Sequence, residues 1–457
     1  MKLTPDHFML RIVSAPTSDV VALVQQMIRN ECVNDGRPES GNEIRNADII
    51  RTYVEGSGLE VERFDSAPGR SNLVVRIEGS DPTAPSLCLM GHTDVVPANP
   101  SRWSHDPYGG EIIDGVIWGR GAIDMYNMTA SMAVAMRRLA GADFRPRGTL
   151  LYVAVADEEA GGTYGAEHLA LQEADSVRCD YLVTESGGFP LLTPAGVRLP
   201  YLREEKGPMW AKLTVHGAPG HGSMPFGTDN ALVKAAEVVR RISAYRPPTR
   251  IDDAWTTFVR GMGMPDDLAK LLLQEDGFVE ALQFLPTGIA KMAYSCTHTT
   301  ITPTMLDSGS KTNIIPEEAT IALDIRVLPG DDEAAVREMI ARALGDAAEG
   351  VHVHFNKGSE VATESPAESP LVDSLHKVAQ GFYPDSQLVP MRMVGSTDAR
   401  HFRRIFDTAA YGFGMWSQRL GMDDIASMAH GDNERIDIES LDMSVDLWEA
   451  LARDFLG

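Results

Sequence analysis

The stretch Leu87-Cys-Leu-Met-Gly-His-Thr-Asp-Val-Val-Pro97 decides how this chain is read. An apolar run stops abruptly at His92 and Asp94, as a strand does when its carboxyl end carries polar side chains. Three further stretches repeat the design. Gly119-Arg-Gly-Ala-Ile-Asp-Met125 ends at Asp124, Leu150-Leu-Tyr-Val-Ala-Val-Ala-Asp-Glu-Glu159 ends in three acids, and Tyr181-Leu-Val-Thr-Glu185 ends in one. Ala429-His-Gly-Asp-Asn-Glu434 adds His430 near the C-terminus. Ligand-grade residues at the carboxyl ends of strands are what a parallel α/β sheet places along its site-building edge.

Working outward, Val20 to Asn30 and Glu43 to Ser57 read as amphipathic helices. Leu59 to Phe64 and Asn72 to Ile77 read as strands, and Thr129 to Leu139 as a helix rich in Ala and Met. This alternation predicts an α/β fold, a mainly parallel sheet flanked by helices. The character changes near Lys206. Trp210 to His216, Ala319 to Val327 and Val351 to Phe355 read as strands, with helices over Asn230 to Ile242 and Asp331 to Leu344. These form an α+β sandwich able to stand alone. Tyr245 to Ala293, rich in Pro, Asp and Met, reads as an insertion with short helices. His430 follows this unit although its partners precede it, so one domain is inserted in another. The expected division is 1–206 and 361–457 for the first domain and 207–360 for the inserted one.

Composition sets bounds on function. In 457 residues there are 41 Lys and Arg against 65 Asp and Glu, a formal charge of -24. Nucleic acids and anionic membranes need a basic footprint, so neither is an expected partner. No apolar run approaches the roughly 20 residues that span a bilayer. The start, Met1 to Val13, carries charges that interrupt any signal-like core. Cys32, Cys88, Cys179 and Cys296 are scattered without a C-x-x-C pair, and read as small buried hydrophobes. A cytoplasmic location is expected.

The chemistry follows from residue types. Zinc accepts imidazole and carboxylate, and two zinc ions need a carboxylate between them. Asp124, on a tight Gly-flanked loop, is the natural bridge. His92 with Glu185 completes one site, and Glu159 with His430 the other. Asp94 is placed to receive the other ring N–H of His92 and fix its tautomer. Glu158 is left beside the cluster as general base for a water bridging the metals. Cobalt or manganese suits the same ligands. An isolated H-x-D or D-E-E would be a turn or a solvated loop; their conjunction at strand ends is what indicates a metal site. His7, His105, His168, His298, His376 and His401 read as surface or supporting residues. His352 and His354, alternating on a strand, read as one face of a sheet.

The stretches G-H-T-D-V-V-P, G-R-G-A-I-D-M, D-E-E-A-G-G, T-E-S-G-G, G-H-G-S-M-P, K-T-N-I-I-P, D-I-R-V-L-P-G, G-S-T-D-A-R and A-H-G-D-N-E resemble, in order, one family. It is the aminoacylase, carboxypeptidase G and succinyl-diaminopimelate desuccinylase family of dizinc hydrolases (metallopeptidase family twenty). The resemblance implies the same five ligands with Glu158 as base, and a catalytic domain interrupted by a lid that also dimerises. It further implies that His221 reaches over from a partner subunit to the oxyanion. Asn313 and Arg326 match residues that contact the substrate, and Arg326 serves equally well as a structural ion-pair residue. Arg400, in G-S-T-D-A-R, is a further candidate anchor for a substrate carboxylate.

The chain departs from the family after the bridging Asp. Members follow it with Met-Lys-Gly-Gly or a close variant, and here Met125-Tyr126-Asn127-Met128 stands instead. Helix and sheet must therefore approach each other by another route. Dipeptides, C-terminal residues of peptides, N-acyl amino acids and succinylated amines all fit the constellation as substrates. A catalytically silent, ligand-binding relative is the rival reading, but no expected ligand or base has been lost. A dizinc aminopeptidase without a lid is another, and the motifs around His221 and Asn313 count against it.

Overall fold

Four strands, Leu150–Val155, Leu87–His92, Tyr181–Thr184 and Ala409–Gly412, lie side by side and parallel at the centre of a ten-stranded sheet. Leu87 and Leu89 enter the core on one face while Cys88 and Met90 enter the core on the other. Both faces are dry, which is why these strands are apolar without alternation. Helices Asp19–Arg29, Ile44–Val54, Tyr126–Gly141, Pro370–Phe382 and Ile438–Leu456 cover the first face. Ala166–Gln172 and Ala399–Phe406 cover the second. The computed structural model describes residues 18–356 and 358–457, so His7 and the opening stretch Met1 to Val13 lie outside the described residues.

Antiparallel strands flank this parallel centre. Glu60–Ala67 and Arg70–Ile77 form a hairpin beside Leu150–Val155. On the other side Gly196–Glu205 runs antiparallel to Ala409–Gly412 and parallel to Gln387–Met393. The sequence reading misses the last pair. Each contains a proline, Pro200 and Pro390, and a proline inside a run argues against a central strand. Gln387–Met393 tolerates its proline because it pairs on one side only.

Residues 207–355 contribute a second, five-stranded sheet. Ala211–His216, Glu318–Val327 and Val351–Phe355 are antiparallel neighbours, as the alternation predicts. Helices Ala231–Ala244 and Glu333–Leu344 close one face over Leu213, Val215, Ile321 and Ile325. His216, His352 and His354 are exposed on strands of this sheet. Thr300–Ser308 is an edge strand absent from the sequence reading; its register shifts between Pro303 and Met305, where the proline breaks the ladder.

The 245–293 insertion consists of short helices, among them Asp253–Gly261, Asp266–Leu272 and Thr287–Thr297. Its core of Trp255, Phe258, Val259, Phe278 and Cys296 includes Val389, so it packs on the main sheet. Arg392, buried on that sheet's strand, binds Asp252 at 2.6 Å and also donates to the Cys296 carbonyl. Lys206 joins the same seam, donating from Nζ to the carbonyls of Ser295 at 3.0 Å and His298 at 2.6 Å. The insertion therefore ties the second sheet unit to the first, and its C-terminal helix reaches the cavity described next.

Candidate metal centre

The parallel strands bring His92, Glu158, Glu159 and Glu185 to one edge of the sheet. Asp124 meets them from the loop before helix Tyr126–Gly141, and His430 from the loop after helix Met422–Met428. Positive φ angles at Asp157, Ser186 and His430 turn the chain sharply at the candidate ligands. Asp124 sits between two imidazoles: its Oδ1 is 3.2 Å from His92 Nε2 and its Oδ2 is 3.2 Å from His430 Nε2. Glu159 Oε2 lies 3.1 Å from His430 Nε2, and Glu185 Oε2 lies 4.0 Å from His92 Nε2. Two triads result, His92/Asp124/Glu185 and Asp124/Glu159/His430. Within each, the ligand atoms lie within 4.8 Å of one another.

These residues fit a pair of cations. The donor set is imidazole and carboxylate, with one carboxylate shared. Glu159 Oε1 is buried without a hydrogen-bond partner among the described residues. The excess of carboxylates raises the proton affinity of the cluster. Hydrogen bonds donated to Asp124 and Glu159 push His430 up to about 11, against the effect of burial. Burial, then the charges of Glu185 and Asp398, push Glu158 well above the usual carboxylate range. The negative potential that draws protons here would equally draw divalent ions.

Asp94 is fully buried beneath the cluster. The His92 Nδ1–H points to the main-chain oxygen of Asp94 at 3.0 Å, with the carboxylate farther away at 3.6 Å. That contact leaves the Nε2 lone pair facing the cluster. The Asp94 carboxylate instead accepts the backbone N–H groups of Glu158 at 3.2 Å and Glu159 at 3.1 Å, and the Asn34 amide at 2.9 Å. It thus holds the D-E-E turn. Asp157, beside it, accepts from Asn34 and Tyr164 and faces the buried Arg70–Glu43 pair. Nothing in the sequence singles out Asn34, Glu43 or Arg70, because their roles depend on neighbours dozens of residues away.

The Tyr126-Asn127-Met128 departure is accommodated by the strand. A Cβ on Gly91 would lie 2.4 Å from Thr129 Oγ1, so the missing side chain is on the sheet, not the helix. Thr129 Oγ1 donates to the His92 carbonyl at 2.8 Å, and the Tyr126 hydroxyl to the Thr93 carbonyl at 3.1 Å. Both anchor the strand end that carries His92.

A cavity of about 620 Å³ opens over the cluster, lined on one side by Glu158, Glu185 and Arg400 and on the other by Trp210, Asp324 and Arg326. Ser295 and Thr300, at the end of the insertion, also line it. Arg326 stacks over Trp210 and forms a two-pronged contact with Asp324 at 2.9 and 3.2 Å. Arg400 is buried and donates to the carbonyls of Thr397 and Gly161, both at 2.7 Å, with Nε 3.1 Å from Glu360. Its guanidinium thus has a structural duty that the sequence does not announce. His221 and Asn313 do not line the cavity of this chain. They sit together on an exposed short ladder, Gly220–His221 against Ile314–Ile315, where Gly222 N–H meets the Asn313 carbonyl at 2.9 Å.

The sequence profile of peptidase family M20/M25/M40 matches residues 88–454. The chain belongs to that family. Aminoacylase-1 of Sus scrofa is 28% identical over 441 residues, covering 94% of this chain and 95% of the relative. A probable carboxypeptidase S-like 2 of Dictyostelium discoideum is 27% identical over 400 residues, covering 84% and 74%. Among solved structures, the M20 metallo-carboxypeptidase Sso-CP2 of Sulfolobus solfataricus superposes with a TM-score of 0.73 at 18% identity, covering 96% of this chain and 99% of that one. The YXEP protein of Bacillus subtilis, described as a dinuclear metal binding peptidase, does so with 0.57 at 13%, covering 96% and 98%. These superpositions show a shared M20 fold. As a family member with this cluster, the protein is a metal-dependent hydrolase acting on C–N bonds.

Proposed function

We propose that this M20 hydrolase cleaves the amide bond of a small substrate bearing a free carboxylate, a dipeptide or an N-acyl amino acid. The observation that carries the reading is Asp124, whose two carboxylate oxygens each face a different imidazole at 3.2 Å. His92, Asp124 and Glu185 would hold one cation, and Asp124, Glu159 and His430 the other. Zinc is our assignment, from the mixed imidazole and carboxylate donors. Bound there, the cations supply Lewis acidity to the scissile carbonyl and lower the pKa of water.

The remaining work falls to the chain itself. Glu158, lining the cavity beside the cluster, takes the proton of the attacking water and returns it to the leaving amine. Asp94 keeps Glu158 and Glu159 in place through their amides. Arg326, partly exposed in the cavity wall, reads the substrate carboxylate by exchanging Asp324 for it, a role that Arg400, engaged on Thr397, Gly161 and Glu360, is less free to take. His221 and Asn313, exposed and outside the chain's own cavity, are proposed to serve the partner's site in a homodimer, where His221 donates to the oxyanion. Met224, Phe226, Val233, Met305 and Ile314 are exposed apolar residues of the same inserted unit and support a dimer through it. The unit boundaries at 206 and 360 stand as part of this proposal. No helix among the described residues is long and apolar enough to cross a membrane. We place the protein in the cytoplasm on its four scattered, unpaired cysteines.

Amine release from a panel of dipeptides and N-acyl amino acids tests the proposal, with metal-loaded protein compared with a chelated sample. Release from one class names the substrate. Glu158→Gln should retain two metals and lose on the order of 10²–10⁴ in kcat. Full activity in that variant would remove Glu158 from its role, and metal-independent release would refute the centre.

A further inference from the structure

Asp124 and His430 are 306 residues apart in sequence, yet their loops spring from one short ladder. Strand Val116–Trp118 pairs with Arg435–Asp437, and Gly119 N–H continues the pairing onto the Glu434 carbonyl at 2.9 Å. Beyond that point the two chains part: Arg120 to Asp124 runs to the shared ligand, and Glu434 back to His430 runs to its neighbour. The buried Glu434 side chain lies in the fork. Its Oε1 accepts the backbone N–H groups of Ile123 at 2.8 Å and Asp124 at 3.1 Å. Its Oε2 accepts Gly121 N–H at 3.0 Å and the Arg120 guanidinium at 2.6 Å. Arg120 then reaches across to the Gly431 carbonyl at 2.7 Å, next to His430.

We infer that Glu434 is a positioning residue for the two-cation centre: its carboxylate fixes the Asp124 loop against the His430 loop and so sets the distance between those ligands. An ion pair serving the fold alone would engage Arg120. Here three amides of the loop, those of Gly121, Ile123 and Asp124 itself, converge on the same carboxylate, and both of its oxygens are used twice. Asp94 holds the Glu158–Glu159 turn by the same device. The site would thus rest on two buried carboxylates, each holding a ligand loop by its amides. The inference rests on the two-cation reading and adds to it a residue that touches neither metal nor substrate.

Cobalt(II) provides the test, since its visible spectrum reports ligand geometry without any substrate. In Glu434→Gln the amide nitrogen must face either the Ile123 and Asp124 N–H groups or Gly121 and Arg120, all donors, so one half of the fork loses its acceptor. The expected result is a 10–100-fold weaker uptake of cobalt with an altered d–d spectrum, while near-ultraviolet circular dichroism stays that of the wild type. Glu434→Asp, which keeps the charge but retracts it by one methylene, should fall between the two, and carries the test if the Gln variant does not fold. Two cobalt ions bound by a folded variant with wild-type affinity and spectrum would overturn the inference, even if thermal stability had dropped. Failure of the wild-type protein to bind two ions would instead overturn the two-cation reading.

Discussion

Gly91→Ala tests how helix Tyr126–Gly141 comes to lie so close to the ligand strand. The new Cβ would stand 2.4 Å from Thr129 Oγ1 and 3.2 Å from both Thr129 Cα and Met125 Cε. Gly91 is not among the residues of positive φ, so the cost is steric and not conformational. To escape, Thr129 must turn its hydroxyl away and lose its bonds to the His92 and Met125 carbonyls, or the helix must retreat. Overpacking a tight core costs about 1–3 kcal/mol, and each lost hydrogen bond about 1 kcal/mol. We expect a destabilisation of about 2–3 kcal/mol. Thr129→Ala alone should cost about 1–2 kcal/mol, from the hydroxyl's bonds. In the double variant the first obstacle is gone and the flexible end of Met125 can move, so the total should fall short of the sum by about 1 kcal/mol or more. Urea unfolding of chelated protein, followed by tryptophan fluorescence, measures all three. Wild-type stability in Gly91→Ala, or strict additivity of the two substitutions, would refute the close-approach argument.

Two more predictions follow from the cavity wall and the insertion seam. Arg400→Met removes a buried guanidinium from the Thr397 and Gly161 carbonyls, leaves Glu360 with Arg404 alone, and should destabilise the protein by about 2 kcal/mol, whereas Arg326→Met should fold normally and raise KM with little change in kcat; denaturation and steady-state kinetics on the same samples separate the two, and the opposite pattern would exchange their roles. His298 is buried, and burial holds its imidazole down at about 4 despite its contact with the Tyr294 carbonyl. Its unfolded form, near 6.5, takes up a proton first, so stability is present above pH 6.5 and is lost as pH falls towards 4, by about 3 kcal/mol in all. His298→Gln should flatten that acid limb relative to the wild type; parallel curves between pH 6.5 and 4 would show that His298 does not titrate as placed.

Much of the candidate site is legible because His92, Glu159 and Glu185 stand where a local pattern ends. Apolar runs stop at His92, Asp157 and Glu185, and a strand that is buried on both faces must surrender its polar residues to its ends. The alternation of His352 and His354 gives a half-exposed strand for the same local reason. Prolines hide other elements: Pro200, Pro303 and Pro390 each interrupt a run that the fold nevertheless pairs, because edge positions and bulges excuse the missing donor.

Side-chain partnership is where the sequence alone stops. Arg326 and Arg400 are alike as residue types, and only burial against Gly161, Thr397 and Glu360 gives the second a structural duty. Glu434 stands four residues from His430 in a stretch already noted, but its use depends on the amides of Gly121, Ile123 and Asp124 about 310 residues away. The sequence by itself determined the apolar runs of the first strands, the types of the candidate ligands and the order in which they arrive, since those follow from periodicity and from what each side chain can bind. The tertiary structure decided which buried carboxylates hold loops and which arginine is tied down by buried carbonyls. Those choices depend on distances between segments that are remote along the chain, and no local pattern encodes such distances.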